Sequence, residues 1–264
     1  MNSAHPRRVV RPRSVEEVAT VLADHPDIPV FAGGTLAVPD WQRRGAPEVV
    51  MYLGGVAELR HAGPACCGAL TTLAELAQDD RAPTALRQAA GSVGGPAVRA
   101  MATMGGNVVA ARPGCVATAL LAVGAVAHGL LRHSPREETT SRLQDMFLAQ
   151  QTLLLAARWG VGGEQQSAFA KVAVRAAGGP NVVSAAVCRD AAACAVAIGA
   201  PGSLPHRLTV TESRWRDGAS AAEVAGAAAD EVVVVDDITA TARYRRAVVR
   251  TLVRRLVTEI EGCR

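Results

Sequence analysis

Thr103-Met104-Gly105-Gly106-Asn107 decides how this chain is read, together with Phe31-Ala32-Gly33-Gly34-Thr35 about seventy residues earlier. Adjacent glycines free the backbone to take positive φ and remove the side chains that would hold a ligand away from the amides. Successive N–H groups can then converge on an anion, and two such loops can grip one pyrophosphate. Neither loop fits G-x-G-x-x-G, because its glycines are adjacent and the first runs on into Leu36-Ala37-Val38-Pro39, which disfavours a nicotinamide-type dinucleotide site. Taken singly, each pair also reads as an ordinary turn, where glycine is the usual residue.

Outward from the first loop, Ser14-Val15-Glu16-Glu17 is a capping box that opens a short helix. The pattern alternates a helix (about 14 to 24), a strand (about 28 to 32), a helix (about 37 to 44) and a strand (about 48 to 53), which is a small α/β unit. From 56 to about 150, helices mix with short strands. The longest apolar run, Val116 to Leu131, is broken by Gly124, His128 and Gly129. It falls short of the roughly twenty residues a bilayer requires and reads as a buried helix. Arg132-His133-Ser134-Pro135-Arg136-Glu137-Glu138 is polar, carries a proline and reads as an exposed turn. A further domain starts near Gly162-Gly163-Glu164, with β-rich segments around 168 to 176, 182 to 188, 193 to 199 and 207 to 211. It closes with helices at about 220 to 230 and 240 to 261. In the last of these, Val249, Leu252, Val253, Leu256 and Ile260 form one apolar stripe, while Arg245, Arg246, Arg250 and Arg254 read as a solvated face.

A chain of 264 residues can bury a sizeable core and divide into two compact units. Aromatics make up only 3% of it, so the core must be built from Val, Leu and Ala. The net charge of +4 is too small to argue for nucleic acid. Residues 1 to 13 hold arginines and prolines without an apolar signal core, so no export is expected and the cytoplasm is the default location. Cys66, Cys67, Cys115, Cys188, Cys194 and Cys263 show neither a C-x-x-C pair nor zinc-type spacing. They read as buried thiols rather than a metal site. The six histidines are scattered and no nucleophile and base fall together.

In order and spacing, the glycine loops, the helix after Asn107-Val108-Val109-Ala110-Ala111-Arg112-Pro113, the stretch Phe169 to Arg175, Val235-Asp236-Asp237-Ile238 and Tyr244 to Arg250 resemble one family. It is that of the FAD-binding medium subunits of molybdenum-containing hydroxylases, such as carbon monoxide dehydrogenase and the flavin domain of xanthine dehydrogenase. The resemblance covers nearly the whole chain. It implies an α+β fold: a two-subdomain FAD-binding domain of the vanillyl-alcohol-oxidase type over residues 1 to 160, with subdomains about 1 to 55 and 56 to 160. A smaller C-terminal domain over 161 to 264, with a short antiparallel sheet and helices, would follow. It implies FAD as cofactor, held by Ala32, Gly33, Gly34, Thr35 and Leu36 in one cradle and by Thr103, Gly105, Gly106 and Asn107 in the other. Thr35, Thr103 and Asn107 carry side-chain donors suited to phosphate or ribitol oxygens; alternatively Thr103 and Asn107 cap the following turn. Lys171 and Arg175, four apart on one side of a strand, would orient the domain against the flavin cleft or form a surface pair.

The family also implies molybdopterin-binding and iron–sulfur partner chains, with electrons passing through FAD to NAD, a quinone or oxygen. A stand-alone flavoenzyme oxidising a small molecule, and a scaffold that has lost FAD, are the alternatives. Four departures bear on this choice: Leu36 where relatives commonly have Asp, Arg99-Ala100-Met101-Ala102-Thr103-Met104 where they read R-N-R-G-T-I, Val116 where they usually place an Asp before the Leu-rich helix, and the apolar continuation through Ala149-Gln150-Gln151-Thr152-Leu153-Leu154-Leu155. Losing one polar contact at Val116 weakens flavin binding by about 1 kcal/mol without abolishing it.

Overall fold

The computed structural model describes residues 5–110, 114–149, 151–160, 165–175, 179–191 and 193–262. Gly162-Gly163-Glu164, the expected start of the second domain, and Cys263 lie outside the described residues.

The chain opens with β1 (Arg8–Val10), α1 (Val15–Asp24), β2 (Val30–Phe31), α2 (Ala37–Arg44) and β3 (Val49–Tyr52). The three strands form a parallel sheet in the order β1-β3-β2. The helix α1 starts where the Ser14 hydroxyl accepts the Glu17 N–H at 3.1 Å, and it buries Val18 and Leu22 against the sheet. The ring of Phe31 meets Trp41 edge-on at 5.1 Å and Tyr52 at 5.0 Å, so three of the chain's few aromatics brace the end of β2 where the first glycine loop begins.

Next come β4 (Ala62–Gly63), β5 (Cys66–Gly68), α3 (Leu73–Gln78), α4 (Thr84–Gly91), α5 (Pro96–Met101), α6 (Met104–Val109) and α7 (Cys115–Ala122). They are followed by β6 (Val126–Leu131), β7 (Ser134–Arg142), α8 (Leu143–Ala149) and β8 (Thr152–Arg158). The sheet is antiparallel, in the order β4-β5-β8-β6-β7. Two expectations are corrected here. The apolar run from Val116 is not one helix: α7 ends at Ala122, Gly124 turns with φ +68°, and the remainder is the strand β6. The polar stretch after Arg132 is not a turn beyond His133, because Ser134 begins a nine-residue strand paired to β6. That strand lies at the sheet edge with most of its side chains in solvent, where charged residues and a proline are tolerated.

The chain ends with β9 (Gln166–Ala173), β10 (Asn181–Arg189), β11 (Cys194–Gly199), β12 (His206–Arg207), α9 (Thr209–Arg216), α10 (Ala221–Glu231) and α11 (Ala242–Glu261). The sheet is again antiparallel, β12-β11-β10-β9. The strand expected over 207 to 211 is therefore only two residues long, and α9 follows it. The central strands β10 and β11 are buried on both faces, which is why they read as unbroken apolar runs. One face of this sheet (Phe169, Ala186, Cys188, Ala197) packs on α4 and α7, and the other (Val183, Ala185, Val187, Val196) on α9 and α11, with α10 packed behind them.

On α11 the expected stripe is buried, but Arg245 belongs to it and is fully enclosed. It donates to the carbonyls of Val182, Val235 and Ala240 and to the Thr239 hydroxyl, and it pairs with Asp237 at 2.7 Å. The residues between α10 and α11 are thereby tied to the helix. Arg246, Arg250 and Arg254 are exposed, as expected. Cys67, Cys115, Cys188 and Cys194 are buried thiols and Cys66 is half-buried. Burial pushes the Cys67 and Cys188 thiols up to about 12.

Candidate functional site

The two glycine loops come together. Ala32 from the first and Thr103, Gly105 and Gly106 from the second line one cavity of about 330 Å³, within the range of ligand pockets. The strands β2 and β8, the helices α6 and α8 and several connecting residues supply the rest, with walls that include Phe31, Leu53, Leu70, Val109 and Met146. Gly33, Gly34, Thr35, Leu36 and Asn107 do not line it.

The loops contribute differently. In the first, Gly34 sits at φ +68°, a conformation that suits glycine. Among the described residues no protein acceptor takes the N–H groups of Gly33, Gly34 or Thr35, which follow Ala32 directly. A Cβ at Gly33 would overlap the Met101 carbonyl oxygen, so this glycine lets the first loop press against the end of α5. Leu36 is half exposed at the start of α2 and offers no capping side chain.

In the second loop the expected fan of free amides is absent. Met104 N–H donates to the Thr71 carbonyl at 2.8 Å, Gly105 to Ala69 at 2.9 Å, Gly106 to the Thr103 hydroxyl at 3.1 Å and Asn107 to the Thr103 carbonyl at 3.0 Å. Thr103 thus caps α6. The Asn107 Oδ1 accepts the Val116 N–H at 2.9 Å, which ties α6 to the start of α7. These bonds match the capping alternative for both side chains. What the second loop offers the cavity is surface: a Cβ at Gly105 would lie 2.9 Å from Ala69, whereas Gly106 is exposed and meets only the Thr103 hydroxyl at 3.1 Å.

Val116, in the first turn of α7, is fully buried in the core and does not reach the cavity. The Lys171 ammonium lies 3.8 Å from the Cys115 sulfur, against α7, and neither Lys171 nor Arg175 lines the cavity. Most of the other lining residues escaped the sequence reading, Arg132 and Leu204 among them. Arg132 follows β6 in a stretch read as a turn, one arginine among twenty-seven. Leu204, between β11 and β12, reaches the cavity from the C-terminal sheet. Nothing local marks it, since its contact is made across distant sequence.

The lining is mostly apolar, with open surface at Gly106, and the free amides of Gly33, Gly34 and Thr35 follow Ala32 just outside it. Among the described residues no His, Cys, Asp and Glu cluster could hold a metal ion, and no helix is long and apolar enough to cross a membrane.

Residues 5–158, more than half of the chain, match the family model described as the FAD binding domain in molybdopterin dehydrogenase. The chain belongs to this family, an oxidoreductase family whose cofactor is FAD. Its fold is similar to three solved structures. A carbon monoxide dehydrogenase from Hydrogenophaga pseudoflava lacking the Mo-pyranopterin moiety matches at 21% identity and TM-score 0.85, with 98% of each chain covered. The reconstituted CO dehydrogenase from Oligotropha carboxidovorans matches at 20% identity and TM-score 0.84, with 99% of each chain covered. Quinoline 2-oxidoreductase from Pseudomonas putida 86 matches at 22% identity and TM-score 0.83, also with 99% of each chain covered. At these identities the likeness establishes the fold. No curated protein sequence gives a significant match.

Proposed function

We propose that the chain is the flavoprotein subunit of a molybdenum-hydroxylase-type dehydrogenase, and that the cavity between the glycine loops seats FAD. The observation that carries this reading is the meeting of Ala32 with Thr103, Gly105 and Gly106 around one cavity, in a chain of this family. In this reading the free N–H groups of Gly33, Gly34 and Thr35 donate to the diphosphate, and Leu36 shields that end. The bare surface of Gly106 lets the diphosphate approach. Thr103 and Asn107 hold the second loop in shape through their caps. Bound FAD supplies electron exchange; the protein supplies grip, orientation and exclusion of water. Electrons would arrive from molybdopterin-binding and iron–sulfur partner chains and leave to NAD, a quinone or oxygen, in keeping with the CO dehydrogenases and quinoline 2-oxidoreductase that share the fold.

The full chain titrated with FAD should quench the flavin fluorescence and melt at a higher temperature. At a hundredfold excess over Kd the added stability is about 2.7 kcal/mol, and FMN and NAD at equal concentration should do less. A melting temperature indifferent to FAD would overturn the seat. For the relay, the tagged chain purified from its source organism should bring molybdopterin and iron–sulfur chains with it. A chain that purifies alone, and whose flavin a small molecule reduces directly, would overturn the relay in favour of a stand-alone flavoenzyme.

A further inference from the structure

Of the described residues lining the cavity, Arg132 is the single ionisable one. Its surroundings hold it in a particular way. The backbone N–H is fixed to the Gln151 carbonyl at 2.8 Å. The two protons of Nη1 are taken by the carbonyls of Pro26 at 3.1 Å and Ile28 at 3.2 Å. A guanidinium has five N–H donors in a rigid plane. The three on Nε and Nη2 have no protein acceptor among the described residues, and neither nitrogen is sealed from solvent. The Nε and Nη2 edge is the one that pairs bidentately with phosphate or carboxylate oxygens.

Nor does a carboxylate neutralise the charge. No ion pair involves Arg132 among the described residues. Burial pulls its pKa below the ordinary arginine value, and Asp27 opposes this only through space. A half-buried, oriented and unpaired cation in an apolar cavity is costly to keep unless an anion visits it.

We propose that Arg132 is the counter-cation of this cavity, and that its Nε and Nη2 edge binds the diphosphate of the dinucleotide cofactor. The assignment rests on the reading of the cavity as the FAD seat, and it deepens that reading by naming a charge the glycine loops lack. The amides of the first loop supply direction; Arg132 supplies charge, already oriented by the two carbonyls that hold Nη1.

The test uses the full chain, with FAD, riboflavin and inorganic pyrophosphate as probes, read by flavin fluorescence and by melting temperature. Arg132→Met keeps the length of the side chain without its charge; Arg132→Lys keeps the charge without the fork. Arg132→Met should weaken FAD binding by about 10- to 100-fold, the scale of a charge-assisted hydrogen bond, while riboflavin affinity stays within about twofold of wild type. The fall of FAD affinity with added salt seen in wild type should flatten in Arg132→Met, and Arg132→Lys should lie between the two. Pyrophosphate should raise the melting temperature of wild type and not of Arg132→Met.

Equal FAD affinity in wild type and Arg132→Met would overturn the proposal. So would an equal loss of FAD and riboflavin with a lower melting temperature, which marks a structural clamp. Pyrophosphate separates this proposal from the reading beneath it. If wild type ignores FAD but responds to pyrophosphate through Arg132, the anion site stands and the FAD seat falls; if wild type responds to neither, both fall.

Discussion

A methyl group added at Gly33 and one added at Gly106 would meet different surroundings. At Gly33 it collides with the Met101 carbonyl oxygen, which is backbone and cannot rotate away. At Gly106, on a helix and facing open space, it meets only the Thr103 hydroxyl at 3.1 Å. Gly33→Ala should therefore lose about 1 to 3 kcal/mol of stability, as overpacking does, and lose flavin with it. Gly106→Ala should hold its stability in urea, because alanine favours helix, and should lose FAD affinity by crowding the cavity. Equal effects of the two substitutions in urea melts and flavin titrations would refute this division. The loops were legible from their glycines, yet the roles of their polar side chains were not. Donor inventory says what Thr103 and Asn107 can bond, not which partner is nearest, and the nearest are helix N–H groups, of α6 for Thr103 and of α7 for Asn107. Arg245 shows the converse. Its spacing to Val249 and Leu252 places it on the buried stripe, while its charge argued for solvent; four backbone and side-chain oxygens plus Asp237 reconcile the two.

Elements whose composition matched one period were read well: α1, α2, α10 and α11 fall within one or two residues of expectation. Others carried no usable signal. An apolar run does not distinguish a buried helix from a buried strand, so Val116 to Leu131 concealed the break at Gly124. The edge strand β7 lacks apolar alternation because most of it faces water, and α9 has a polar composition without a clear stripe. The segment between α10 and α11 carries a prediction. The Asp237 carboxyl is held well below the ordinary carboxylate range, first by its bond to Arg245 and then by those to Thr239 and Ala240. A depressed folded pKa contributes stability that is fully present above the unfolded value, about 3.9, and is lost as pH falls toward the folded one. Asp237→Asn should thus be less stable than wild type at neutral pH, with the gap narrowing as the solution is acidified below about pH 4. Urea melts across that interval would show it, and a gap independent of pH would refute the role of the charge.

For the molecule as a whole, the stretch matched by the FAD-binding family stops at residue 158, but the hydrophobic core does not. Phe169, Ala186, Cys188, Ala195 and Ala197 share one cluster with Leu86, Val116 and Leu120. A chain cut after Arg158 would expose the faces of α4 and α7 that the last sheet covers. Such a fragment should aggregate or give a broad, non-cooperative melt where the full chain melts sharply; a cooperative, monomeric fragment would refute this.

Leu204 gives the cavity a wall that belongs to neither glycine loop. The turn that bears it is packed through Gly202 against Val235, whose carbonyl is held by Arg245. Loosening of the Val235 segment would therefore shift one wall of the cavity while leaving both glycine loops in place. Arg245, enclosed in the C-terminal core, thus reaches the cavity only through Val235, Gly202 and the turn that carries Leu204.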